Sequence, residues 1–517
     1  MYPGLWATRF PEKAAVIDAA SGEMLSYGEL NARSNQLAQC WYAHGLRRGD
    51  RVSIFMENNL AYFVVAWAVL RSGLFLTTVN RYLTTDEAAY IIDNSESRVA
   101  IASVALGEVA KELPDLCTNC ERWLAVDGSL PGYDDFDSTI GEFTTDPLDE
   151  EPAGGFLLYS SGTTGKPKGI MRPLPDGGIA DMDSPVSMLL RGLWQINEDT
   201  IYLSPAPLYH SAPIGFSTGV QAVGGTVVMM RRFDDHQALE AIEKYRVTHS
   251  QWVPTMFTRM LKMPVEERNR YDLSSHRVAI HAAAPCPQEI KKRMLEWWGE
   301  ILYEYYAGTE LSGLTHATPS EWLAHPGTVG KSIMGVIHIC DEEGKEMPTG
   351  EPGIVYFEAP EMPFEYLKDP AKTKEVQHRD HSNWSTLGDV GYLDDEGYLY
   401  LTDRATFMII SGGVNIYPQE IEDLIVLHDE VADVAVIGVP NPEMGEEVKA
   451  VVQLLDGVEP SDELAHEILN WTRDRLSHYK CPKSLDFRDE LPRHPTGKLY
   501  KRLLKDEYWG KGDSRIV

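Results

Sequence analysis

Residues Tyr159–Gly169 read YSSGTTGKPKG. Four hydroxyls (Ser160, Ser161, Thr163, Thr164) and two lysines (Lys166, Lys168) alternate there with Gly162, Gly165 and Gly169. Glycine lets the backbone approach an anion with its N–H groups exposed, hydroxyls donate hydrogen bonds, and lysine supplies compact positive charge. Together they have the chemistry of a polyphosphate cradle. The common nucleotide phosphate loop needs a glycine five residues before its Gly-Lys pair and a hydroxyl after the lysine. Ser160 and Pro167 stand at those places, so this is a different loop. A flexible Ser/Gly linker is the bland alternative, but linkers rarely follow an apolar run such as Gly154–Tyr159 (GGFLLY), which reads as a strand.

Toward the N-terminus, helix and strand signals alternate. Tyr27–Leu46 has apolar groups at helical spacing and stops at Gly45. Arg51–Phe55 reads as a strand, Tyr62–Gly73 as a helix, Glu87–Asp93 as a helix and Val99–Val104 as a strand. Alternation of this kind predicts layered α/β structure with parallel pairing. Asp127–Glu151 is acidic and is expected to be irregular. Beyond the loop, strands are expected over Val247–Val253 and Arg277–Ala284, and a hairpin over Thr386–Arg404 with its turn at Asp394–Gly397.

The chain has 517 residues, 43% hydrophobic, with a net charge of −31. That length predicts more than one domain. The acidic balance disfavours nucleic acid and anionic membrane as partners, and means that an anionic ligand must be met by local cations. Six cysteines are scattered, and the Cys117/Cys120 pair has no second pair to complete a zinc site; reduced thiols and a cytoplasmic location are expected. The longest apolar run, Ala61–Leu70, is too short to span a membrane, and the first ten residues lack the character of a signal peptide.

The SSGTTGKPKG run resembles that of the adenylate-forming enzymes, which include acyl-CoA synthetases, luciferases and peptide-synthetase adenylation domains. The resemblance extends from about Pro11 to Trp509. It implies a large N-terminal domain of layered mixed α/β sheets (residues 1–403) that binds ATP and the acid. A small mobile α+β lid (404–517) would follow, hinged at about 403–406. ATP, Mg²⁺ and coenzyme A are the implied cofactors and a small carboxylate the implied substrate; a homodimer is compatible with it.

Several stretches match the family's motifs residue by residue. In IYLSPAPLYH, Tyr209 and His210 are implied beside the carboxylate and the α-phosphate. Ala282–Pro285 matches the segment lining one face of the adenine, which gives Ala283, Ala284 and Pro285 that role. His281, just before it, either reads the far end of the acid or is a packed core histidine. In YEYYAGTEL, Tyr306 matches the adenine-stacking residue, Thr309 the α-phosphate contact and Glu310 the Mg²⁺ ligand; a single hard carboxylate suffices for magnesium. Ala307 replaces a commoner glycine and is expected to trim the pocket. Asp389 matches the ribose ligand and Arg404 a ribose or phosphate contact, whereas Asp394, Asp395 and Glu396 read as a solvated turn.

After Arg404 the pattern is that of a small α/β unit. Gly412 and Gly413 are implied to leave room for the pantetheine arm, and Lys498, in HPTGKLYK, matches the catalytic lysine. Thr406 stands where the family's hinge residue is commonly Asp or Lys. SGGVNIYPQEIE and HPTGKLYKR favour the acyl-CoA synthetase branch, and Tyr209–Gly215 offers no acid to hold an amino group. The expected activity is that of an AMP-forming acid–CoA ligase for a bulky hydrophobic acid, of the steroid, bile-acid or long-chain fatty type. Hydroxycinnamate or benzoate-type acids and a carrier-protein acceptor are the alternatives.

Overall fold

The computed structural model describes the chain apart from residues 161–166, 182–184, 405–406, 413, 494–498 and 510–517, and the side chains of 185, 403, 404 and 415. The chain divides into two compact units. One comprises Met1–Trp252, Pro264–Ile280 and Pro363–Thr373; the other comprises Val253–Met263, His281–Met362 and Lys374–Val517.

The first unit holds a six-stranded sheet in the order Asp134–Asp135, Arg122–Val126, Val99–Ser103, Arg51–Phe55, Phe75–Thr78 and Gly155–Phe156. Every adjacent pair is parallel, as the helix–strand alternation predicts. Parallel strands need crossovers, and the helices Leu60–Arg71 and Thr85–Asn94 supply two of them. The strand Val99–Ser103 is buried along its whole length, as expected of a sheet covered on both faces. A second sheet runs His249–Trp252, Ile201–Ser204, Thr226–Met229, Ala14–Asp18 and Met24–Ser26, with only the last strand antiparallel. The helix Tyr27–Ala43 starts where a capping box forms: Ser26 accepts from the Glu29 backbone N–H while the Glu29 side chain accepts from that of Ser26.

Two expectations need correction. Gly154–Tyr159 is not one strand. Gly155–Phe156 pairs with Phe75–Leu76 in the six-stranded sheet, and Leu158–Ser160 then pairs antiparallel with Lys168–Ile170. The apolar run is continuous, but its ladder partner changes, and only the tertiary structure supplies the second partner. Asp127–Glu151 is not wholly irregular either. It contains the helix Phe136–Gly141, capped by Asp135, with Phe136 and Ile140 buried.

The second unit is mainly antiparallel. Leu302–Tyr306 pairs with Leu314–Ala317, which pairs with Lys331–Met334. A four-stranded sheet follows in the order Val336–Cys340, Gly353–Glu358, Trp384–Leu393, Leu399–Arg404. Its last pair is the expected hairpin, and Asp394 Oδ1 closes the turn by accepting from the N–H groups of Glu396 and Tyr398. The sheet beyond residue 404 runs Val414–Ile416, Ile409–Ser411, Gly445–Leu454 and Val431–Asn441, with Ser484–Arg488 parallel to Gly445–Leu454. Its core joins Ile409, Ile421, Ile425, Val434, Val436, Val452 and Ile468.

All six cysteines are unpaired, and burial pushes the Cys117 and Cys120 thiols up to about 12. Among the described residues no helix is long and apolar enough to cross a membrane.

Buried histidines in the first unit make its stability depend on pH. His249 Nε2 donates to the Trp194 carbonyl at 2.9 Å, and its Nδ1 lies 2.8 Å from Thr248 Oγ1. Burial pushes its pKa down to about 4, and that of His276, bonded to Ser250, down to about 3. The unfolded chain protonates both below about pH 6.5 and the folded chain does not. Stability is therefore complete above pH 6.5 and falls as pH drops toward 4, by about 1.4 kcal/mol per pH unit for each histidine. Urea unfolding at pH 6 and pH 5 should show this slope, and His249→Gln should reduce it by about 1.4 kcal/mol per pH unit. An unchanged slope in that variant would place the titration elsewhere.

Candidate active site

In the first unit, the strands on either side of the expected phosphate loop pair with each other. Ser160 pairs with Lys168 and Tyr159 with Gly169, and Glu365–Tyr366 adds a third strand. The expected loop residues Ser161, Gly162, Thr163, Thr164, Gly165 and Lys166 lie outside the described residues. Their frame is tied from two sides. Tyr159 Oη donates to Asn94 Oδ1 at 2.7 Å, and Tyr90 Oη donates to the Pro167 carbonyl at 3.3 Å. Lys168 Nζ lies 5.3 Å from the centre of the Tyr366 ring.

Tyr209 and His210 follow the strand Ile201–Ser204, with ring centroids 4.2 Å apart. His210 is the N-cap residue of the helix Ser211–Ala222, so its backbone is extended while its carbonyl starts the helix. Asn58 holds this turn, and the sequence reading missed it. Its Nδ2 donates to the carbonyls of Ala206 (3.1 Å) and Met230 (2.8 Å), and its Oδ1 accepts from the Leu208 N–H at 2.8 Å. Thr78 Oγ1 adds a bond to the Tyr209 carbonyl at 2.7 Å. The only local signal was a polar Asn58-Asn59 pair between two apolar elements. Asn59 explains half of it as the cap of Leu60–Arg71.

In the second unit, Tyr306 ends the strand Leu302–Tyr306 and its Oη donates to Asp389 Oδ2 at 2.6 Å. The structure thus brings together the residues expected against adenine and ribose, 83 positions apart in sequence. Asp389 is paired in register with Arg404, whose side chain lies outside the described residues. Gly308 packs against the strand Trp384–Leu393: a Cβ there would lie 2.6 Å from Leu387 Cδ2 and 2.9 Å from Glu310 Oε2. Thr309 and Glu310 are half-buried. A lone hard carboxylate fits a magnesium ion held largely by phosphate oxygens. Among the described residues no cluster of three or more His, Cys, Asp or Glu could form a protein cage.

The strand before the expected adenine-lining segment is Val278–His281, shorter than Arg277–Ala284 because the chain turns at Ala283, whose φ is +77°. Ala284 is half-buried and Pro285 exposed. His281 is fully buried, its ring edge against Phe257 at 5.5 Å. Gly412 has φ +57°, and its N–H donates to the Met444 carbonyl at 2.8 Å. Gly413, Thr406 and Lys498 lie outside the described residues.

The backbone at Ala283 is left-handed, which costs an L-residue roughly 1–2 kcal/mol. Ala283→Gly should therefore stabilise the protein by about 1 kcal/mol, less the extra entropy that glycine loses on folding. A raised urea midpoint checks this; a lowered one would mean that the methyl group makes compensating contacts.

Residues 5–367 match the AMP-binding enzyme family and residues 420–498 the AMP-binding enzyme C-terminal domain. A feruloyl-CoA synthase from Amycolatopsis sp is 34% identical over 499 residues, covering 94% of each chain. The 3-[(3aS,4S,7aS)-7a-methyl-1,5-dioxo-octahydro-1H-inden-4-yl]propanoyl:CoA ligase of Rhodococcus jostii is 31% identical, covering 97% of each. Among solved structures, ATP-bound MatB from Rhodopseudomonas palustris superposes with a TM-score of 0.80 at 28% identity, covering 98% of this chain and 99% of that one. The chain belongs to the AMP-binding enzyme family and is an AMP-forming acyl-CoA synthetase.

Proposed function

We propose that the acid is bulky and hydrophobic, of the steroid, bile-acid or long-chain fatty type. The observation that carries this is the segment from Tyr209 through the helix Ser211–Ala222. It contains no acidic or basic side chain besides His210, and Pro213, Ile214, Phe216 and Val220 are buried along it. No carboxylate, lysine or arginine there could pair with a second charge on the substrate. The indene-propanoyl ligase among the relatives is named for a propanoyl group carrying a fused bicyclic ring, which supports a bulky acid. An aromatic acid is the second reading, favoured by the higher identity to the feruloyl-CoA synthase.

In the first step a carboxylate oxygen attacks the α-phosphorus of ATP, the bond to the bridging oxygen breaks, and pyrophosphate leaves. Thr309, Lys498 and the hydroxyls and lysines of Ser160–Lys168 stabilise charge on the phosphates. His210 and Tyr209 orient the carboxylate. Tyr306 stacks on adenine against Ala283–Pro285, and Asp389 and Arg404 hold the ribose. Glu310 is the ligand for Mg²⁺, which supplies charge neutralisation on the phosphates when bound. In the second step residues 404–517 act as a lid that turns about 403–406. Lys498 withdraws, Gly412 and Gly413 make room for pantetheine, and the CoA thiol, losing its proton, attacks the acyl carbon and expels AMP.

CoA-dependent AMP production against short, long-chain, steroidal and hydroxycinnamic acids tests the reading. Turnover with steroidal or long-chain acids supports it, and turnover confined to hydroxycinnamates selects the second reading. Pyrophosphate release without a CoA thioester would replace CoA with a carrier-protein acceptor.

A further inference from the structure

A pair of charges lies wholly inside the second unit and has no part in the chemistry above. Lys291 has no exposed side-chain surface, and its Nζ donates to Glu304 Oε2 at 2.6 Å. The same ammonium sits 4.8 Å from the centre of the Trp322 ring, on the helix Pro319–Ala324. His281 Nε2 is 3.6 Å from the same carboxylate oxygen, too far for a hydrogen bond, and among the described residues neither ring nitrogen has a hydrogen-bond partner. Burial and the Lys291 charge hold the His281 pKa well below its usual value, so the imidazole is neutral. The buried carboxylate is therefore compensated by Lys291.

Several costs attach to this arrangement. Each ion loses its hydration, and an apolar pair of similar volume is often as stable or more so. Lys291 also stands in the first turn of the helix Gln288–Trp298, where the helix dipole disfavours a cation. The pair thus adds little to net stability, but it imposes direction. Lys291 lies six residues after Pro285. Glu304 lies two residues before Tyr306, and residues i and i+2 of a strand share a face. One bond therefore couples the helix that follows the adenine-lining turn to the strand that carries the adenine-stacking ring.

We propose that the Lys291–Glu304 pair is a positioning device for the adenine slot, setting the separation of Ala283–Pro285 from Tyr306. The proposal rests on the assignment of that slot. Neither residue touches ATP; both act through the backbone elements they join.

The test is calorimetric binding of AMP and of inorganic pyrophosphate to the full-length protein, which needs no knowledge of the acid. In Lys291→Met/Glu304→Leu both charges are replaced by apolar groups of similar size. The expected result is a Tm within a few degrees of the parent, AMP binding weakened about tenfold, and pyrophosphate binding unchanged. Parental AMP affinity in this folded variant overturns the proposal, and so does an equal loss of both ligands. Should the double variant not fold, Lys291→Arg/Glu304→Asp keeps both charges and changes their reach. It should weaken AMP binding about threefold at an unchanged Tm, and parental affinity there is again decisive against the proposal. Tyr306→Ala separates the two levels of argument. If it leaves AMP affinity untouched, the slot itself is misassigned. If it weakens AMP while the charge variants do not, only the positioning role falls.

Discussion

Lys498→Ala is expected to lower adenylate formation by roughly a thousandfold while leaving thioester formation from supplied acyl-adenylate within a few-fold of the parent. The leaving pyrophosphate and the pentacoordinate phosphorus gather negative charge, and one well-placed donor at such a centre is worth about 10²–10³ in rate. The protein as a whole carries −31 and repels the substrate, so local cations must supply the attraction. In the second half-reaction a thiol displaces AMP, and although charge then gathers on the α-phosphate, Lys498 in the proposed mechanism has already withdrawn. Pyrophosphate exchange measures the first step, and CoA consumption from synthetic adenylate measures the second. Equal losses in both would remove Lys498 from its proposed role.

Gly330→Ala should be the most damaging single methyl group in the second unit, costing on the order of 4 kcal/mol or more. Gly330 has φ +97°, and a Cβ there would lie 2.0 Å from the His316 carbonyl oxygen and 2.6 Å from the Ala317 nitrogen. These are backbone atoms of the strand Leu314–Ala317, so no side chain can swing aside. That strand is paired with Leu302–Tyr306, which ends on Tyr306. The other side of the turn is held equally firmly. Thr328 Oγ1 accepts from the Gly330 N–H and donates to the Leu399 carbonyl, and the Leu399 N–H donates to the Gly330 carbonyl. A melting temperature lower by many degrees and weakened AMP binding are expected. A Tm within two degrees of the parent would show that the strands can separate without cost.

Local chemistry made much of this protein legible. The strand Arg51–Phe55 spans the residues expected of it, and Ser461 caps the helix Asp462–Arg473 in a purely local way, accepting from the Leu464 N–H at 3.1 Å. Such features depend on groups within four residues of each other. The acidic turn Asp394–Gly397 was legible for the same reason. Asp389 and Tyr306 were each matched to a motif, but nothing in either motif says that the Tyr306 hydroxyl donates to Asp389. The split of Gly154–Tyr159 between two sheets was invisible because both halves are apolar and extended. Hydrophobic period reports burial, not which strand lies alongside. Asn58 was missed for a related reason, since its three partners lie 148, 150 and 172 residues away.

Residue identity and spacing alone carry the family, the α/β alternation and the expected phosphate-binding role of Tyr159–Gly169. These are written in residue identity and short spacing, which hydrogen-bonding capacity, charge and backbone freedom translate directly. Packing alone brings Lys291 and Glu304 together away from water, buries His281 with its ring nitrogens unbonded among the described residues, and lays Gly330 against the backbone of a neighbouring strand. A buried charge or a glycine has no local signature of its partner. Its energy is set by atoms brought from elsewhere in the chain, and the desolvation and steric terms that make it consequential exist only once those atoms are packed together.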